Sequence, residues 1–155
     1  MHIERLHPSH LSAVREVYKD AVQSLGPDLY TRQQIEAWSA IASLPGVLDK
    51  TLNEGKGWVS IANNELQAFA VRSPENRLAL LYCRASSSRQ GHASKLLRLI
   101  EEDAISEQQK VLFAEASAFS YQLLLRKGWQ LITQETINIS GVTFNRYCMK
   151  KVLID

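Results

Sequence analysis

The sequence predicts a mixed α/β layered fold around one central sheet. Three observations predict it. The spacing of apolar residues switches repeatedly between period two and helical spacing, giving the order strand, two helices, hairpin, strand, helix, strand, helix and final hairpin. The stretch GWVSIANNELQAFAVR holds two alternating runs joined by Asn63 and Asn64, residues that tolerate the positive φ of a tight hairpin turn. The tail, WQLITQETINISGVTFNRYCMKKVL, again reads as two long strands about Ser140 and Gly141. Two hairpins exclude a doubly wound parallel sheet and leave about seven strands with about four helices.

His2 to Leu6 alternates as a first strand. Pro8 and Ser9 open a helix whose face carries Leu11, Val14, Val17, Tyr18, Ala21 and Val22, and Gly26 with Pro27 stops it. In TRQQIEAWSAIA, Thr31 and Gln34 form a capping box, and Ile35, Trp38 and Ala42 share one face of a second helix. The segment Pro45 to Gly55 reads as looser chain leading to the hairpin. LALLYC is a short apolar run expected to be a strand buried on both faces. A helix follows with Ala93, Leu96, Leu97, Ile100 and Ala104 on one face. KVLFAEA is a strand, and Ser117 caps a helix running to Lys127, ended by Gly128.

With 155 residues, 45% of them apolar, the chain has the size of one domain, residues 1–155. No linker, repeat or low-complexity tract divides it. The formal charge of +2 is too small to indicate a nucleic-acid partner, which a strong basic patch interleaved with aromatics would announce. No run of about 18 apolar residues indicates a membrane span, and MHIERLHPSH lacks the apolar region of a signal peptide, so the cytoplasm is the expected compartment. Cys83 and Cys148 have neither metal-ligand nor redox spacing and are expected to be free thiols. His7 and His10 have a spacing that puts two ligands on one side, but no third ligand accompanies them, and no metal is expected.

The chemistry is expected where LALLYC runs into SSSRQGHASKLL: a strand, a turn with Gly91, then the start of a helix. Serines and a glycine at that place suit a plain helix cap. They also suit an anion site, because helix N-terminal amides bind phosphate and Gly91 with Ala93 allows close approach to the backbone. The sequence holds neither the Walker GxxxxGK[ST] nor GxGxxG. In its place the stretch resembles the coenzyme A pyrophosphate signature of the GNAT superfamily of acetyl-CoA-dependent acyltransferases: Gln or Arg, two residues, Gly, one residue, then Gly or Ala.

The resemblance is strongest from Leu78 to Trp129 and extends to the order of elements along nearly the whole chain. It implies a GNAT-like, mostly antiparallel sheet that splays at the cofactor site. It implies that Leu81, Tyr82 and Cys83 offer backbone hydrogen bonds to pantetheine and the thioester, and that Arg89, Gln90, Gly91, His92, Ala93 and Ser94 wrap the pyrophosphate. Ser117 falls where the family often has an Asn or Ser near the cofactor. Gly128 with Trp129 matches the Gly-Phe pair after the last helix, and Asn145 to Lys150 resembles the closing strand. YTRQQIEAW is similar to a segment of small bacterial members that lies near the acceptor, which makes Tyr30 and Trp38 the expected acceptor-side residues. The chain departs from the pattern at Ser88, where Gln or Arg is usual. It departs again at Leu80 and Leu112, where a glutamate is common, and at Leu124, where a tyrosine often protonates the departing thiolate.

The chemistry such a site runs is attack of an amine on a thioester, helped by alignment and by amides aimed at the developing oxyanion. An ammonium with pKa near about 10.4 needs a proton acceptor first. Glu115 is a candidate by type, but it takes the strand face opposite Leu112, Ala114 and Ala116. Tyr121, one helical turn before Leu124, is the candidate acid. His92 is expected to contribute its amide rather than its ring, and Cys83 to be a small buried hydrophobe rather than a nucleophile. Two functions follow. The first is N-acetyl transfer from acetyl-CoA to a primary amine of a small molecule, peptide or protein. The second, motivated by Leu80, Leu112 and Leu124, is an acyl-CoA-binding sensor or interaction module. A homodimer through the last two strands has no warrant in the sequence.

Overall fold

The computed structural model describes residues 1–43 and 47–154. Seven strands form one sheet in the order β1-β2-β3-β4-β5-β7-β6. They are β1 (His2–Arg5), β2 (Lys56–Ala62), β3 (Glu65–Arg72), β4 (Arg77–Cys83), β5 (Val111–Ala116), β6 (Gln130–Ile139) and β7 (Val142–Val152). Every pairing is antiparallel except β4 with β5. The helices are α1 (Leu11–Leu25), α2 (Arg32–Ala40), α3 (Val47–Glu54), α4 (His92–Ser106) and α5 (Ala118–Arg126).

The turns follow the local chemistry. Asn63 and Asn64 have φ of 55° and 60°, and Ser140 and Gly141 have φ of 50° and 81°, so both hairpins turn through left-handed residues. Thr31 and Gln34 form the full capping box of α2, with Gln34 N–H donating to Thr31 Oγ1 at 3.2 Å and Thr31 N–H to Gln34 Oε1 at 3.0 Å. After α1 the chain does not use a left-handed stop. Gly26 has φ −60° and starts a short 3-10 turn. A Cβ there would lie 2.8 Å from Ile35 Cγ1, so the missing side chain lets α2 pack against the end of α1.

Two expectations need correction. Within the supposedly loose stretch Pro45 to Gly55, Val47–Glu54 is helical, a fifth helix among the described residues beside the about four expected; Pro45 and Gly46 lie outside the described residues. The helix buries Leu48 and Leu52, an i, i+4 pair in a stretch too short to show a longer repeat. Strand β4 is also not buried on both faces: Leu78 is buried, while Leu80, Leu81, Tyr82 and Cys83 are half-buried.

The sheet separates two cores. One face packs Val14, Val17, Tyr18 and Val22 of α1 and Trp38 of α2 against Val59, Phe69 and Val71. The other packs Leu96, Leu97, Ile100 and Ala104 of α4 and Leu124 of α5 against Ala68, Ala70, Leu112, Ala114 and Met149. Fully burying a leucine or isoleucine contributes about 2 kcal/mol, so the α4 stripe fixes where that helix begins.

Candidate active site

The site is a gap in the sheet. Strands β4 and β5 pair only at Arg77↔Phe113 and Leu78↔Ala114, then part. On its other side β4 has an irregularity: Arg72 faces Leu78, but Val71 faces Leu80, so Ala79 is the extra residue of a bulge. The bulge explains why Leu78 joins the α4 side of the sheet while Leu80 joins the α1 side. Beyond it, the β5-facing edge of β4 has no strand to bond.

A cavity of about 170 Å³ passes through this gap. One wall is Leu80, Leu81, Tyr82 and the facing Ala114, Ala116 and Ser117. Toward the α1 and α2 side it meets Tyr30, Trp38, Phe144, Ile137 and Ile139, with Arg77, Glu115, Asn145 and Arg146 beside them. A smaller neighbouring cavity shares Leu81, Tyr82 and Ser120 with it and extends past Cys83 to Ala93 of α4, Phe119 and Leu123 of α5 and Ala21 of α1. The gap therefore joins the two faces of the sheet.

Two helix N-termini border this path. Gly91 is the residue before α4, with φ 88°, and no side chain caps the helix. The amides of His92, Ala93 and Ser94 thus begin a 15-residue helix without the device that closes α2. Arg89 also has a left-handed φ of 63°. A Cβ on Gly91 would meet nothing within 4 Å, so the space above the turn is open. The serines of this stretch serve other ends: Ser87 donates to Gln67 within the fold, and Ser88 Oγ bonds Ala85 O at 2.9 Å. Arg89 and Gln90 are exposed, and Gln90 Nε2 reaches back to Ser86 O at 3.4 Å. The ring of His92 turns into the sheet and bonds Ser60 Oγ through Nδ1 at 2.7 Å, leaving its amide for the turn. Burial, followed by the cations of the N-terminus and Lys95, lowers its pKa.

At α5, Ser117 holds the capping position but its side chain does not bond the helix backbone. The Ala118 amide donates to the Tyr30 hydroxyl at 2.8 Å. Burial raises the Tyr30 pKa, and the hydrogen bonds from Ala118 and Ser117 oppose that rise. The Tyr30 ring is held edge-on by Trp38 and Phe119, at 5.1 and 5.7 Å between centroids. Tyr82 lies 4.8 Å from Tyr18, and burial raises its pKa as well. Burial, with a smaller contribution from Asp20, pushes the Cys83 thiol up to about 11, so it is a protonated packing group at neutral pH.

The structure thus brings together Leu81, Tyr82, Cys83, Ala93, Ser117, Tyr30 and Trp38 around the gap and the neighbouring cavity. It does not bring Tyr121 there. That ring stacks on Tyr147 at 4.2 Å and 7°, on the α5 side of the sheet, while Ser120 and Leu124 line the cavity. One turn of helix separates it from Leu124 along the axis, but the stacking partner fixes its direction. Glu115 does take the face opposite Leu112, Ala114 and Ala116, the face that bears Trp38 and Phe144, and it lines the cavity. Its Oε2 accepts from Arg77 Nε at 2.8 Å. Arg77 and Arg146 were not expected: their convergence depends on the β4/β5 and β5/β7 registers, and the hairpin about Ser140 and Gly141 bears only on the pairing of Arg146 with Glu135. His7 and His10 are structural: His7 caps the turn through Ser9 N–H, and His10 bonds Glu4. Among the described residues no group of three or more His, Cys, Asp or Glu gathers as a metal site, and no helix is long and apolar enough to cross a membrane.

A sheet splayed between two parallel strands, with an uncapped helix beginning after a glycine turn, is the arrangement that the resemblance to acetyl-CoA-dependent acyltransferases implied. The chain belongs to the GNAT family of acetyl-CoA-dependent acetyltransferases: the family model described as an acetyltransferase (GNAT) domain matches residues 28–151. The fold is similar to a GCN5-related N-acetyltransferase from Rhodopseudomonas palustris, with TM-score 0.92, 17% identity, and coverage of 97% of this chain and 94% of that one. It is also similar to PaiA N-acetyltransferase from Thermoplasma acidophilum in complex with coenzyme A, with TM-score 0.75, 16% identity and coverage of 98% and 99%. YncA from Salmonella typhimurium with its cofactor acetyl-CoA follows, with TM-score 0.68, 18% identity and coverage of 100% and 95%. No curated protein matches the chain.

Proposed function

We propose that the protein transfers the acetyl group of acetyl-CoA directly to a primary amine. The observation that carries this reading is the cavity through the β4/β5 gap, which is lined by residues from both faces of the sheet and adjoins a second cavity that reaches Ala93 at the start of α4. The donor's pyrophosphate fits the open turn at Gly91, where uncapped amides and the helix dipole supply positive potential and no Cβ blocks approach. Its pantetheine fits the second cavity past Ala93 and Ser120, which brings the thioester against the unpaired edge of β4. Amides on that edge are suited to the oxyanion of the tetrahedral intermediate.

The acceptor enters from the Trp38 side and meets Glu115. Glu115 takes a proton from the ammonium, directly or through water, and the free amine attacks the carbonyl carbon. Collapse breaks the carbon–sulfur bond and leaves a thiolate. The Tyr30 hydroxyl supplies its proton: the oxygen accepts from Ala118 N–H, which stabilises the phenolate left behind and keeps the phenol's own hydrogen free to donate. Of the two protons the ammonium loses, one is balanced by the proton on sulfur and one reaches solvent. In this reading Tyr30 and Glu115 supply what Leu80, Leu112 and Leu124 lack, and that favours the enzyme over the acyl-CoA sensor.

Calorimetric titration with acetyl-CoA and coenzyme A, followed by thiol release against a panel of amines, tests it. Binding with turnover is the expected outcome. Binding with no turnover on any amine supports the sensor, and absence of binding overturns both.

A further inference from the structure

The acceptor side of the cavity has two chemically different walls. One is apolar: Trp38, Ile137, Ile139 and Phe144, with Tyr30 packed edge-on against Trp38. The other carries Arg77, Glu115 and Arg146, and Glu135 stands behind Arg146, so that charges alternate across four strands. Arg77 on β4 pairs with Glu115 on β5, and Arg146 on β7 pairs with Glu135 on β6. The pairing registers put all four on the face of the sheet that bears Phe144: Glu115 is opposite Cys148, Arg146 is two residues from Cys148, and Glu135 is opposite Arg146. Glu115 and Arg146 are thus diagonal neighbours, about 7–8 Å apart at the backbone, close enough for two long side chains to hold one small molecule.

Of the two arginines, Arg77 is tied down twice, by Glu115 and by Ser73 O at 3.2 Å. Arg146 uses Nε for Glu135, and among the described residues its two terminal nitrogens hold no hydrogen bond. A guanidinium that lines a cavity and keeps its two terminal nitrogens unbonded suits a carboxylate, which it can meet with hydrogen bonds. A carboxylate beside it suits an ammonium. The apolar wall suits neither.

We propose that the acceptor is a small zwitterion of the amino-acid type with an apolar side chain. Its amino group lies on Glu115, its carboxylate on Arg146, and its side chain against Trp38, Ile137 and Phe144. This deepens the acetyl-transfer reading and rests on it. The cavity is small, about 170 Å³, which suits an acceptor that enters it with one short side chain. A polyamine would place a second cation beside Arg146, and a peptide N-terminus would bring no carboxylate to it.

The test compares leucine with leucinamide and 3-methylbutylamine, which keep the side chain but lack the carboxylate, and adds spermidine and glutamate. With acetyl-CoA saturating, kcat/KM for leucine is expected to exceed that for leucinamide at least about tenfold, the scale of a charge-assisted hydrogen bond, and to exceed that for glutamate. R146Q should collapse the leucine-to-leucinamide ratio toward one mainly through KM, and R146K should restore part of it. Equal or better use of leucinamide or spermidine overturns the proposal, as does a ratio that survives in R146Q. If R146Q does not fold, the wild-type ratio decides alone. If no amine releases thiol, leucine and leucinamide are titrated into the coenzyme A-saturated protein. Binding of leucine alone supports this site while counting against transfer. Absence of leucine binding overturns the zwitterion proposal, whereas turnover of other amines leaves the transfer reading standing.

Discussion

Tyr30 illustrates how a side chain distant in sequence takes a place in the proposed site. It precedes the cap of α2, yet its hydroxyl reaches the first amide of α5, 88 residues away in the chain. The phenol is held by Trp38 and Phe119, so its direction is fixed before any ligand arrives. Tyr30→Phe keeps those ring contacts and removes the oxygen. The expected outcome is a fall in kcat of about a hundredfold, the lower range for positioned acid–base groups, with the KM for acetyl-CoA little changed. Stability should drop by about 1 kcal/mol, because the Ala118 amide loses its partner. Steady-state kinetics and urea unfolding check both; an unchanged kcat would assign proton delivery to water. Cys83 shows the opposite case. It lines the second cavity, but its raised pKa denies it the thiolate that nucleophilic chemistry needs.

At the scale of elements, α4 is held by a buried contact that also tunes the turn before it. His92 is the first residue of the helix and 3% exposed, and its bond to Ser60 ties the Gly91 turn to β2. Burial lowers the His92 pKa below its ordinary value near about 6.5, so the folded protein prefers the neutral ring. The unfolded chain therefore binds the proton more readily. The stability this group contributes is full above about pH 6.5 and is lost as pH falls below that toward the folded pKa. Urea midpoints measured from pH 7.5 to pH 5 should decline, and His92→Asn should flatten part of that decline; identical slopes would remove His92 as the cause. Much of this level was legible in the sequence. Capping chemistry announced α2, paired asparagines announced the first hairpin, and apolar spacing announced α4. The α3 helix was not legible, because its eight residues give one buried pair and little periodicity. The bulge at Ala79 left no mark either, since it reflects how β4 meets β3. For the same reason Tyr121 was the expected acid: helical spacing gives its height on α5, but only the stacking on Tyr147 gives its direction.

For the whole molecule the gap is both the proposed site and the junction of the sheet with the fewest paired residues. The β1–β4 half meets the β5–β7–β6 half at only two register pairs, whereas β5 and β7 share six. A donor molecule lying in the gap would bridge the halves and cover the β4 edge beyond Ala79. Binding only to the folded state stabilises it by about 2.7 kcal/mol when the ligand is at 100 times its Kd. At about 2–4 °C per kcal/mol for a chain of this size, coenzyme A should raise Tm by roughly 5–11 °C. The same addition should slow amide hydrogen exchange in a peptide spanning Leu80–Cys83 and in the turn at Gly91, while the β1/β2 pairing stays as it was. Gly91→Asp places a carboxylate over the amides of α4 in a left-handed position, so it should lose both the shift and the protection while remaining folded. Protection at Gly91 without protection at Leu80–Cys83 would put the nucleotide end at the turn but take the thioester out of the gap, and Tyr30 and Glu115 would lose their roles with it.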